Sequence, residues 1–166
     1  GSAWLSWPEI LRAPLTPEQQ AVAAQYLKRK PLAEPLLYLT FRTVGLAAKV
    51  LLGLKVSGTE NAPKDRPFLI CANHASYLDA ALIAATLPYH AFGRIFFLGA
   101  TKYTRSALQQ WFALLIRGVA VDAGANAGSG LRLAAEGLDR GLVLCVFPEG
   151  HRSIDGKLLP FHHGPS

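Results

Sequence analysis

The chain has 166 residues, a formal net charge of +6, 51% hydrophobic residues and only 17% charged ones. That length fits one domain with a sizeable core and apolar surface to spare. No apolar run of the roughly 20 residues a membrane span needs is free of charge, because the best candidate, Pro35 to Leu54, is interrupted by Arg42 and Lys49.

Residues 3 to 33 are proline-rich and open with Trp4 and Trp7. Thr16-Pro17-Glu18-Gln19 reads as an N-cap, a first-turn proline and acidic or amide first-turn residues, and predicts a helix running to about Lys30. Lys28-Arg29-Lys30 then falls in its last turn, where positive charge suits the helix dipole. The cluster reads equally as a solvated helix end or as a lipid contact. Residues 34 to 54 predict a second helix, rich in leucine. Arg42 and Lys49, seven apart, share one face, so the helix is amphipathic and suited to a membrane interface. The plain alternative is packing on the domain core.

From Lys64 onward, apolar runs near 67–72, 94–99, 118–121 and 142–147 predict strands. Between them lie predicted helices near 77–87, 102–116 and 127–140, the last ending at Gly141, a natural C-cap residue. This alternation predicts an α/β fold, with a mainly parallel sheet flanked by helices and preceded by an N-terminal helical segment. The division is a membrane-interfacial segment over 1–55 and an α/β core over 56–166. Cys71 and Cys145 each sit in an apolar run and read as small buried residues of a reducing cytoplasm, with a disulfide left open and no metal-ligand spacing.

Two motifs carry chemistry. His74 and Asp79 follow the first apolar run, where ligands gather beyond strand ends in such sheets. A histidine can take a proton near neutral pH, and a carboxylate within reach would hold its tautomer. The same spacing also arises from a structural histidine and a helix-start aspartate. No G-x-S-x-G elbow is present, and Ser76 reads as a helix cap before it reads as a nucleophile. The second motif is Phe147-Pro148-Glu149-Gly150-His151-Arg152-Ser153. Gly150 permits close backbone approach, Arg152 offers a planar cation for phosphate, and Glu149 orients Arg152 or accepts from a substrate hydroxyl. Alone, this loop reads equally as a solvent-exposed Glu–Arg pair.

Together the two motifs resemble the glycerolipid acyltransferases that include lysophosphatidic acid and glycerol-3-phosphate acyltransferases. The N-H-x-x-x-x-D box is Asn73, His74 and Asp79, and the F-P-E-G-x-R-S box is Phe147, Pro148, Glu149, Gly150, Arg152 and Ser153. The resemblance spans about residues 56 to 164. It implies His74 as general base, Asp79 as its orienting carboxylate, and Gly150 and Arg152, with Glu149 and Asn73 beside them, as substrate-binding residues. An intermediate box matches more loosely at Gly99 to Lys102 and Gly118 to Asp122. The arginine common in the family after the Val-Asp pair is Ala123 here, so Lys102, Arg105 or Arg117 is left to contact phosphate. His151 stands where threonine is usual. Phe161-His162-His163-Gly164 resembles the stretch preceding a fourth box, which implies a C-terminally truncated chain. The 149–156 run also resembles modules fused to acyl-activating synthetases.

The resemblance implies fatty acyl transfer from acyl-CoA or acyl-ACP to a glycerol phosphate or lysophospholipid hydroxyl. It implies no metal and no other cofactor. The expected location is peripheral, on the cytoplasmic face of a membrane. The rival readings are a non-catalytic lipid-binding or membrane-docking module and a hydrolase using Ser76. Nucleic-acid binding would rest on net charge alone, with no recognised motif behind it, and is not expected.

Overall fold

The computed structural model describes residues 9, 12–76, 78–100, 107–121, 127–153, 155 and 157–160. Five helices of eight or more residues and a four-stranded sheet make up the described core. Helix α1 spans Pro17–Tyr26, α2 Glu34–Leu52, α3 Asp79–Thr86, the one-turn α4 Tyr89–Phe92, α5 Ala107–Leu115 and α6 Ala127–Asp139. The strands are β1 Leu69–Cys71, β2 Ile95–Ala100, β3 Gly118–Val121 and β4 Val143–Val146.

Local chemistry sets several of these ends. Thr16 and Gln19 form a reciprocal capping box at the start of α1. Gly141, at φ +77°, closes α6. Its N–H donates to Leu138 O at 2.9 Å, while the N–H of Leu142 reaches Gly137 O at 3.0 Å. The first helix departs from expectation: it stops at Tyr26, with Leu27 as its cap. Lys28, Arg29 and Lys30 therefore lie beyond the helix and not in its last turn. Leu27 is buried against the sheet, and the chain turns there to deliver Arg29 to Glu34.

All strand pairs are parallel, in the order β1-β4-β2-β3. Alternation along the strands feeds two cores. Ile95, Phe97 and Cys145 point to one face, where Phe41 of α2, Ala81, Ala84 and Ala85 of α3, and Ala91 and Phe92 of α4 cover them. Phe96 and Leu144 point to the other, beneath Ala23 and Leu27 and beneath Leu133 and Ala134 of α6. Helix α6 lies so close that a Cβ on Gly137 would meet the Phe96 ring at 2.4 Å. Likewise a Cβ on Gly45 of α2 would come within 3.2 Å of Ala85.

Only one side of α2 is used in this packing. Phe41, Gly45 and Ala48 are buried, whereas Leu36, Leu39, Leu46 and Val50 are exposed. By length and composition alone, Glu34–Leu52 is apolar enough to cross a membrane, in spite of Arg42 and Lys49. The expectation that these two charges exclude such a helix is therefore corrected. They sit on a flank and leave a continuous apolar face on the outside.

Both ends of the sheet carry polar work. At the amino end, Glu34 is almost fully buried and accepts from Arg29 Nη2 at 2.7 Å and from Arg117 Nη2 at 2.9 Å. Burial pushes its pKa up, but the two guanidiniums overcome that and hold it below the usual carboxylate range. Arg117 also donates to Gly93 O at 2.8 Å, and burial lowers its own pKa. It is the one described non-glycine residue with positive φ, at 53°.

Candidate active site

In a parallel sheet every strand leaves toward the same edge, and β1 and β4 are neighbours. The loops after Cys71 and after Val146 therefore emerge side by side, although residues 74 and 149 are far apart in sequence. The first loop holds His74 and the second holds Glu149, Gly150 and Arg152.

His74 and Asp79 meet. His74 Nδ1 lies 2.8 Å from Asp79 Oδ2. The same carboxylate oxygen accepts from the backbone N–H groups of Ala75 and Ser76, each at 2.8 Å. Three donors converging on one oxygen hold the carboxylate in a single orientation. A carboxylate facing Nδ1 makes that nitrogen the protonated one, so the lone pair is left on Nε2. Among the described residues Nε2 has no hydrogen-bond partner, and the side chain is about one-fifth exposed. The opposite ring face stacks on Phe147, with centroids 4.2 Å apart and planes 21° from parallel. The imidazole is thus fixed by its edge and by its face.

The second loop also braces the first through its backbone. Glu149 is 1% exposed. Its Oε1 accepts from His74 N at 3.0 Å and its Oε2 from Leu159 N at 3.1 Å. Beside the expected roles of orienting Arg152 or accepting from substrate, Glu149 has a further one, as a brace for the His74 loop. Each carboxylate oxygen serves one part-buried backbone donor, and the side chain itself is buried. The alternative of a solvent-exposed loop carboxylate does not hold for Glu149, which is buried. Ser153 N donates to His74 O at 2.7 Å, so His74 is bonded on both its N–H and its carbonyl by residues flanking Arg152. That places the Arg152 backbone beside His74, and its side chain is half-buried. Gly150, at φ +66°, makes the turn possible, its N–H returning to Phe147 O at 3.0 Å. Asn73 is exposed at the mouth. Asp155 accepts from the hydroxyl of Ser153 at 3.1 Å and from Lys157 N at 3.2 Å, and the Lys157 and Ser153 donors hold its carboxyl below the usual range.

Two other residues fall differently. Ser76 does not cap α3, whose N-cap is Leu78. Its hydroxyl accepts from Leu78 N at 3.1 Å, and among the described residues nothing bonds it to the His74 ring. Arg117 is excluded as a phosphate contact, since it precedes β3 at the opposite end of the sheet and is committed to Glu34. Lys102, Arg105, Asp122 and Ala123 lie outside the described residues, as do His162 and His163. Phe147 and the bracing role of Glu149 were not anticipated. Both residues stand in the second motif, but nothing in their spacing tells that they act on residue 74.

A family model described as Acyltransferase matches residues 53–165. The chain belongs to this acyltransferase family.

Within the family it is 33% identical over 144 residues to the 1-acyl-sn-glycerol-3-phosphate acyltransferase of Saccharomyces cerevisiae, over 76% of this chain and 43% of that protein. To the 1-acyl-sn-glycerol-3-phosphate acyltransferase alpha of Ovis aries it is 29% identical, over 74% and 43% respectively. The crystal structure of the 1-acyl-sn-glycerophosphate (LPA) acyltransferase PlsC from Thermotoga maritima superimposes with a TM-score of 0.60 at 30% identity. That likeness covers 92% of this chain and 59% of that one. The chain thus spans under half the length of these two curated relatives. The α/β acyltransferase fold is shared, and His74, Asp79 and Glu149 all lie inside the matched segment.

Proposed function

We propose that this chain carries the catalytic centre of a 1-acylglycerol-3-phosphate O-acyltransferase acting in phospholipid synthesis. The observation that carries the reading is the His74–Asp79 pair, with Nε2 unpartnered among the described residues and both backbone groups of His74 clamped by the second motif. Nε2 takes the proton of the acceptor's free hydroxyl as the oxygen attacks the thioester carbonyl. The tetrahedral intermediate collapses and expels the thiolate of coenzyme A or acyl carrier protein. The imidazolium then returns the proton to the leaving sulfur. Asp79 holds the ring and offsets its charge during the cycle. Arg152, with Gly150, Asn73 and Lys102, is assigned to the acceptor phosphate, for which a guanidinium is the natural partner.

The acceptor and the product are both amphiphiles, and the outward leucines of α2 supply a matching surface. We assign that face to the membrane interface, with the protein peripheral on the cytoplasmic side. An acyl-transfer assay with acyl-CoA and lysophosphatidate tests the chemistry. His74→Ala, in a protein that includes whatever flanks this chain, is expected to lose at least about 10³-fold in turnover with an unchanged melting temperature. Turnover at the parental rate would end the assignment.

A further inference from the structure

Beside the outward surface of α2 lies a cavity of about 170 Å³, lined in part by Arg42, Leu46, Lys49, Val56, Thr59 and Ala85 and by no described residue of the two motifs. We propose that it is a binding site for the phosphate of an anionic glycerophospholipid in the bilayer, distinct from the acceptor site. The inference rests on the assignment of α2 to the membrane interface.

The cavity holds several times the roughly 30 Å³ share of one water in the liquid, so a small anionic group fits. Among the described residues its charged lining side chains are two cations, and no carboxylate lines it. Arg42 touches Ala85 O through Nη1 at a long 3.4 Å and lies 5.9 Å from the Tyr38 ring centroid. A guanidinium has five N–H donors, so most of this one is uncommitted. Lys49 forms no ion pair among the described residues. Ordinarily, surface cations with no acid nearby sit apart in water. Here two are gathered seven residues apart on one flank of a helix, over a common hollow.

Position identifies the source of the anion. Leu46 lines the cavity and is itself exposed, and Val50 stands one turn further along on the outward face. A helix lying with Leu39, Leu46 and Val50 among acyl chains would hold its flank at headgroup depth, where lipid phosphates are. Arg42 and Lys49 thus meet the phosphate as the leucines meet the chains. Thr59, at the start of the short 3-10 turn Thr59–Asn61, adds a hydroxyl to the rim.

Co-sedimentation with vesicles tests this, comparing phosphatidylcholine alone with phosphatidylcholine mixed with phosphatidylglycerol. The parent protein is expected to bind the mixed vesicles at least about five-fold tighter, the factor a single cation contributes near anionic lipid. Arg42→Gln with Lys49→Gln should abolish that preference and leave binding to pure phosphatidylcholine unchanged. Lys49→Gln alone removes no contact the fold uses, so it should reduce the preference even if the double variant folds poorly. Lys64→Gln with Arg66→Gln removes the same charge elsewhere and should keep it. A preference that survives in Lys49→Gln and in the double variant overturns the proposal. So does an equal loss in the Lys64/Arg66 variant, which would mean a diffuse field. A parent that binds both vesicle types equally defeats this site but not the membrane assignment. A parent that binds neither defeats both.

Discussion

Glu149 Oε1 accepts a hydrogen bond from the backbone N–H of His74 at 3.0 Å, joining residues 75 positions apart. A carboxylate with 1% exposure is stable only where donors meet it, and here two backbone N–H groups do. Glu149→Gln keeps the shape but turns one end into a donor facing a donor. The expected result is a loss of about 1–3 kcal/mol in stability, read by denaturant unfolding. Turnover should fall further than the loss of folded protein explains, because the His74 loop loses its brace.

Asp79 tests the other support of the same ring. In Asp79→Asn the amide oxygen can still accept from Ala75 or Ser76, so the loop is expected to persist. That oxygen still accepts from Nδ1–H, but the neutral amide no longer offsets the imidazolium charge. Turnover is expected to fall by about 10³–10⁴, with little change in acceptor KM. A KM change with normal turnover would place Asp79 in substrate binding instead.

Acid should weaken the amino end of the sheet, where Glu34 is buried between two guanidiniums. Glu34 has a folded pKa below its unfolded one, so its contribution is complete above the unfolded carboxylate value. It is lost as pH falls from that value through the lowered folded one, where the unfolded chain binds the extra proton. A stability–pH curve should drop across that acidic window, and the drop should be smaller in Glu34→Gln. The variant should also be less stable at pH 7 by about 3–5 kcal/mol, because it strands Arg117 as an uncompensated buried charge.

The two thiols should react very differently. Cys71, on the edge strand β1, is exposed, which corrects the expectation that both cysteines are buried. Cys145 is buried in the central strand β4, and burial pushes its thiol up to about 12. A thiol so protonated is a poor nucleophile. One equivalent of maleimide should be taken up by the native protein at pH 7.5, at Cys71, and a second only after unfolding, as read by intact mass.

Much of the architecture could be read locally. The Thr16–Gln19 capping box, the Gly141 helix end and the β-branched and aromatic runs act within a few residues, so composition and period reveal them. The His74–Asp79 contact belongs to the same class, since a turn of five residues brings the ring, the carboxylate and two backbone amides together. Where neighbours in space are distant in sequence, local pattern is silent. Arg117 looked like a free cation beside a strand and is instead one arm of a buried clasp on Glu34. Arg42 and Lys49 looked like interruptions of an apolar helix and instead border a cavity on its flank.

The residue types of the two motifs and the alternation of strands and helices were determined by the sequence itself, because they depend on side-chain chemistry and on periods of two and 3.6 residues. Only the tertiary structure decided that β4 lies beside β1, and with it that Glu149 and Phe147 support His74. Parallel neighbours are chosen by how the crossover helices pack on the two faces of the sheet, a non-local balance that no single stretch of chain encodes.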